Sequence, residues 1–200
     1  MTERPILFSA PMVRAILAGT KTQTRRVLKG VQPWGVSNGK PEWAIAGSEP
    51  MCPYGQPGDR LWVRETHAPQ PDCWGSWERW TRGAGGPGPV IHYKASDERA
   101  WVDRWRPSIH MPRWASRITL EITSVRVERL QAIGQEDARA EGVHRNVDGL
   151  WSGGVWKHLA QPNRYSDPCN AFCDLWASIN GGESWDTNPW VWVVEFKRAA

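Results

Sequence analysis

The sequence predicts an α+β fold built on a mixed, curled sheet, and three observations carry that reading. The apolar pattern runs strand, helix, strand, strand, strand, long bent strand, helix, helix, strand, an order that suggests helices set against one mixed sheet. The longest strand signal, residues 116 to 129, changes phase: Ile118, Leu120 and Ile122 share one parity, Val125 and Val127 the other. Such a slip inside one apolar run means a bulge or corner, the device that bends a strand around a small barrel. Finally, the chain closes on Trp-Val-Trp-Val-Val-Glu-Phe, apolar on both faces and therefore central in its sheet.

Taken in order, Pro5 to Phe8 reads as a first strand, and Ser9 as the N-cap of a helix opening at Ala10 and Pro11. Gly19 ends that helix, because glycine takes the left-handed closing conformation most easily. Threonines and a valine make 20 to 28 extended, with Thr22, Thr24 and Arg26 on one face and Gln23, Arg25 and Val27 on the other. A possible short strand at Trp43 to Ile45 interrupts a Gly- and Pro-containing stretch. The turn cluster before Arg60 then launches a strand to Thr66, with Leu61, Val63 and Glu65 facing one way and Trp62, Arg64 and Thr66 the other. Residues 67 to 89 read as an irregular insertion, Val90 to Ala95 as a strand, and Gln135 to Glu141 as a short helix closed by Gly142. Asp167 caps a helix with Pro168 in its first position, running to Asn180 and Gly181.

Two hundred residues, 40% of them hydrophobic, suffice for one domain with a proper core, and no linker separates two. No run approaches the roughly 18 apolar residues of a membrane span, and the N-terminus lacks the basic-then-apolar order of a signal peptide, so a cytoplasmic protein is expected. The four cysteines are too few for a disulfide framework. Cys169 and Cys173 fall near the apolar side of the last helix, and Cys52, His67, Cys73 and His92 lack the short paired spacing of a zinc site. Neither a metal nor a cofactor is therefore expected. A net charge of +4 and a pI near 9.0 permit an anionic partner without requiring one, and the 15 tryptophans could stack on bases only where they stand in loops.

The chemistry concentrates in Gly-Thr-Lys-Thr-Gln-Thr-Arg-Arg, residues 19 to 26, which delivers an amine, hydroxyls and guanidinium groups together. A hydroxyl beside a neutral lysine can act as a nucleophile, and arginines suit an oxyanion. Acting as a base near neutral pH would require Lys21 to lose about 4 kcal/mol of preference for its charged form, which burial near other cations supplies. Lys21 and Thr24 are three apart and would face opposite ways on a regular strand, so Lys21 belongs in the turn after Gly19 or on a bulge. Glu141 breaks a local rule: a carboxylate at the negative end of a helix dipole costs roughly 0.3–1 kcal/mol when exposed.

These segments, together with Pro-Gly-Asp-Arg-Leu-Trp-Val-Arg-Glu (57 to 65), Glu-Asp-Ala-Arg-Ala-Glu-Gly (136 to 142) and the terminal Trp-Val-Val-Glu-Phe, resemble the ASCH domain family, whose fold is a PUA-like β-barrel. The longer phage and prophage variety looks similar over nearly the whole chain. The small bacterial N(4)-acetylcytidine amidohydrolases match only the core and lack the segments at about 30–55, 67–115 and 143–166. The resemblance implies a PUA-like mixed barrel with flanking helices and loop-rich insertions, and Lys21, Thr24 and Glu141 as catalytic lysine, threonine and glutamate, with Arg26 beside them. It also places Trp62, Arg64 and Glu65 on the strand that resembles the pocket wall, where Arg64 and Glu65 point to opposite faces, so that one of the two lines the site, Glu65 being favoured. There Glu65 would accept from an exocyclic amine or a ribose hydroxyl, and Trp62 would stack on a base or pack into the core. The function so implied is a hydrolase of a modified nucleoside amide. The alternatives are a ribonuclease or a non-catalytic RNA or nucleotide binder using Arg26, Arg104, Arg106 and Arg113 for phosphates. Nothing in the sequence fixes an oligomeric state.

Overall fold

A computed structural model describes residues 1–30, 32–38, 40–43, 50–70, 90–97, 99–153 and 165–199. Its centre is a five-stranded sheet ordered β1-β5-β8-β11-β2, formed by β1 (Glu3–Leu7), β5 (Arg60–Arg64), β8 (Thr119–Arg129), β11 (Trp190–Arg198) and β2 (Gln23–Val27). The β1 and β5 strands run parallel, and every other pairing in the sheet is antiparallel. Among the described residues β1 and β2 pair on one side only, so the sheet is mixed but does not close into a barrel. The two edges nevertheless approach each other, since the Arg26 guanidinium on β2 donates to the Leu7 carbonyl at the end of β1 (2.6 Å).

The phase change in the long strand is a bulge. Glu195 of β11 pairs with Ser124 and Phe196 with Ile122, leaving Thr123 unpaired between the two apolar parities. The terminal strand is central, flanked by β8 and β2, and its two faces feed two cores. Trp190, Trp192, Val194 and Phe196 join Ile6, Phe8, Leu61, Val63, Leu120 and Ile122, with Val13 and Ile16 of helix α1 (Ala10–Leu17) covering them. Val191 and Val193 face the other way, onto α2 (Gln135–Ala140) and α3 (Pro168–Asn180), where Ala138, Ala171, Phe172, Leu175 and Trp176 are buried. Strand residues that alternate between two buried surfaces read as a continuous hydrophobic run.

The helix termini follow their capping chemistry unevenly. Asp167 accepts from the Cys169 amide (2.9 Å) and Pro168 opens α3, where its missing N–H costs nothing. Ser9 precedes α1 in extended backbone but makes no side-chain cap; its carbonyl accepts from Val13 instead. Gly19 (φ +75°) turns the chain out of α1 in the left-handed conformation expected of it.

Three small two-stranded ladders lie outside the main sheet, one in each expected insertion: β3 (Gly35–Ser37) with β4 (Lys40–Glu42), β6 (His67–Pro69) with β7 (Ile91–Tyr93), and β9 (His144–Arg145) with β10 (Trp151–Ser152). The short strand expected at 43 to 45 is thus displaced towards 40–42, and 44–45 lie outside the described residues. The start of the loop expected at 67 to 89 is a strand, too short to show periodicity and ending in a proline suited to an edge; 71–89 lie outside the described residues, as does Cys73. No described helix is long and apolar enough to cross a membrane.

Candidate active site

The site begins where α1 ends. After Gly19 the Thr20 and Lys21 amides both donate to the Ala15 carbonyl, which turns the chain sharply and holds Lys21 out of the strand that starts two residues later. The Thr22 amide donates to the Ala140 carbonyl (2.9 Å) and its own carbonyl accepts from Phe196 (2.8 Å), so the end of α2 is sewn to the start of β2. Lys21 and Glu141 consequently face each other as an isolated antiparallel bridge.

Gly142 permits the approach. Its φ is +93°, and a Cβ built there would lie 3.1 Å from Lys21 Cβ and 3.2 Å from Ala15 Cβ. Glu141 thus follows α2 as its C-cap residue, and its carboxylate turns inward. Lys21 Nζ donates to its Oε2 (2.9 Å) and to its backbone carbonyl (2.8 Å), and the pair is almost wholly buried. Arg25, whose side chain is fully buried, donates to the other carboxylate oxygen, Oε1 (3.2 Å). Two cations therefore offset the unfavourable helix end that the sequence shows at Glu141.

Burial pushes the Lys21 ammonium below its ordinary range; Arg26 and Arg25 act in the same direction, while the Glu141 carboxylate opposes them without prevailing. The Phe8 ring adds an apolar neighbour shared by two cations, with Lys21 Nζ 5.7 Å and Arg26 Cζ 5.4 Å from its centroid. A lysine so placed has the character of a base.

Behind the ion pair runs a network that the sequence did not reveal. Arg25 also donates to Asp137 (2.9 Å) and to Glu128. Arg126 donates to Asp137 (2.8 Å), to Glu128 (3.1 Å) and to Glu195. Burial alone would raise the Asp137 carboxyl, but Arg25 and Arg126 outweigh it and hold the group below the usual range. Two spacings signal the network in retrospect: Asp137 lies four residues before Glu141 across the short helix, and Arg25 shares Lys21's parity.

Two cavities flank Glu141. One, about 280 Å³, is lined by Thr24, Arg25, Arg26, Lys29, Tyr54 and Glu141, with Trp176 and Asn180 from α3. The other, about 740 Å³, lies between α1 and α3 and takes in Thr20, Gly142, His144 and Ser178. They share Met12, Glu141, Leu175 and Ile179, so Glu141 borders both. Small-molecule sites usually occupy about 300–1,000 Å³, a range that takes in the larger cavity and begins just above the smaller. Because β2 is a sheet edge, Thr24 and Arg25 reach the same cavity although they belong to opposite faces. Among the described residues the buried Thr24 hydroxyl makes no hydrogen bond, to Lys21 or to anything else.

The structure thus brings Thr24, Arg26 and Glu141 to one cavity, with Lys21 buried behind Glu141 and lining neither cavity itself. It does not bring Trp62, Arg64 or Glu65 there, for none of them lines either cavity. Glu65 is buried and held in a two-point pair by Arg117 (2.9 and 3.0 Å), which engages both of its oxygens away from either cavity. Arg117 in turn lies 4.0 Å over the Tyr93 ring. Arg64 donates to the Ile109 carbonyl, and both Arg64 and Arg113 pack on the Trp62 ring, 5.4 and 5.9 Å from its centroid, where a base would have to stack. Arg113 is itself paired with Glu3. No group of histidines, cysteines and carboxylates among the described residues could hold a metal.

An α+β protein with a buried lysine–glutamate pair at the wall of a cavity is the class that fold and site define. Compared with known proteins, the chain matches no protein-family model, no curated protein and no solved structure significantly.

Proposed function

We propose that the chain is an ASCH-type, PUA-like domain that hydrolyses the amide of a modified nucleoside, an N(4)-acylated cytidine such as N(4)-acetylcytidine. The observation that carries this reading is the 2.9 Å pair between Lys21 and Glu141, 120 residues apart in sequence, whose glutamate lines the cavity that Thr24 and Arg26 also line.

In the proposed reaction neutral Lys21 takes the Thr24 proton as the hydroxyl oxygen attacks the acyl carbon, and the tetrahedral oxyanion is met by the Arg25 guanidinium, which lines the same cavity and whose buried Nε has no partner among the described residues. The C–N bond breaks, cytidine leaves with a proton passed through Glu141, and the acyl group stays on Thr24 as an ester. Water, deprotonated by the same Lys21 and Glu141 pair, hydrolyses that ester to free the acid and regenerate the hydroxyl. The network behind Arg25 fixes the carboxylate, so the proton carrier does not have to be oriented anew in each cycle.

Incubating the purified protein with N(4)-acetylcytidine between about pH 6 and 10, a span that covers the titration of a depressed lysine, tests the reading. Cytidine and acetate should accumulate in equal amounts; no release at any pH overturns it.

A further inference from the structure

The cations around the smaller cavity fall into two kinds. Lys21 and Arg25 are engaged by Glu141, and Arg25 by Asp137 and Glu128 as well. Arg26 and Lys29 meet no carboxylate among the described residues: Arg26 donates to the Leu7 carbonyl while its buried Nε has no partner, and Lys29 is exposed and unpaired. Three cationic side chains thus line the cavity against a single carboxylate that two cations already neutralise. A nucleoside is uncharged and gives such a wall nothing to compensate. A phosphate ester does, because hydrogen bonds from a guanidinium or an ammonium to phosphate are charge-assisted and strengthen in a partly enclosed site.

We infer that this cavity takes its nucleoside with a phosphate ester attached, the phosphate lying between Arg26 and Lys29 at the mouth while the base reaches inward towards Thr24 and Glu141. The inference rests on the hydrolase reading for the placement of the base, but the phosphate site itself is a matter of binding. Two sources supply the same chemistry, a mononucleotide and an internal phosphate of a single-stranded RNA.

The test is equilibrium binding of cytidine, cytidine 5′-monophosphate and a short cytidine-containing oligoribonucleotide with free hydroxyl ends, each measured by calorimetry at low and at physiological salt. The phosphate-bearing ligands should bind about tenfold more tightly than cytidine, with the advantage shrinking as salt rises. Tighter binding of the mononucleotide identifies a terminal phosphate, and tighter binding of the oligonucleotide a chain phosphate. In Lys29→Ala and Lys29→Glu the ratio to cytidine should fall towards one and below it, respectively, and since Lys29 is exposed neither change threatens folding. Arg26→Gln should lower the same ratio. Equal affinities for all three ligands, or a phosphate advantage untouched by Lys29→Glu, overturn the inference. A phosphate advantage without turnover would overturn the hydrolase and leave the phosphate site standing, whereas turnover without a phosphate advantage would do the reverse.

Discussion

Two charged clusters, one at the end of β5 and one beside β2, differ in what their charges are for. Around Glu65 the charged and aromatic groups are taken up by other side chains of the protein: the carboxylate by Arg117, the Arg117 guanidinium by Tyr93 as well, the Trp62 ring by Arg64 and Arg113. Around Glu141 the charges are as deeply buried, yet the cluster borders a cavity and includes a hydroxyl with no partner and a lysine pushed towards neutrality. Burial and charge occur in both places, so neither marks a working site. What distinguishes the second is unspent chemistry facing space.

The largest effect expected from this difference is on turnover. Thr24→Ala and Glu141→Gln should each lower kcat/KM for N(4)-acetylcytidine by a factor on the order of 10²–10⁴, the usual worth of a positioned proton carrier or nucleophile. Glu65→Gln, at the other cluster, should leave kcat/KM per folded molecule at the wild-type value, with its cost appearing in the thermal midpoint. A kinetic loss there comparable to Glu141→Gln would erase the distinction.

Stability sharpens the comparison next. Lys21→Met leaves Glu141 buried with Arg25 as its remaining cation and should cost about 3–5 kcal/mol in denaturant unfolding, as breaking one side of a buried ion pair does. The double variant Lys21→Met, Glu141→Leu should lose less than the two single changes together, because no orphaned carboxylate remains. Strict additivity would mean that the two side chains are not coupled.

A smaller effect is expected from Gly142→Ala. The left-handed backbone at φ +93° costs an alanine about 1–2 kcal/mol, and its methyl meets Lys21 Cβ at 3.1 Å. Lys21 is displaced with it, so kcat should fall more than KM rises.

The pH dependence follows from Lys21. Its native pKa lies below the unfolded value, so between the two the unfolded chain binds more protons and stability from this group rises with pH up to about 10.4. Activity should rise as pH passes through the native pKa, at the lower end of that window, and level off before about 10.4. A rising limb that persists in a Lys21→Arg variant would assign the titration to another group.

Much of the frame was legible because it is written in local rules: the bulge at Thr123 in the phase change of the long strand, the turn at Gly19, the cap at Asp167 and the central place of β11 in its two apolar faces. The parity conflict between Lys21 and Thr24 also resolved as physics required, with Lys21 outside the strand. The network of Arg25, Asp137, Glu128 and Arg126 was not legible, since it depends on which elements pack against β2, and α2 is too short for its pattern to say. The wall expected from Trp62, Arg64 and Glu65 failed for a related reason. Parity along β5 tells which way a side chain points but not that Arg117 or Arg113 waits there to occupy it.

The account stands on Thr24 as the nucleophile, and the most direct measurement is mass spectrometry of protein quenched during turnover of N(4)-acetylcytidine. One acetyl group should be found on the peptide carrying Thr24, and it should vanish in Thr24→Ala. Turnover that continues in Thr24→Ala, or an acetyl group carried by a different residue, would contradict it.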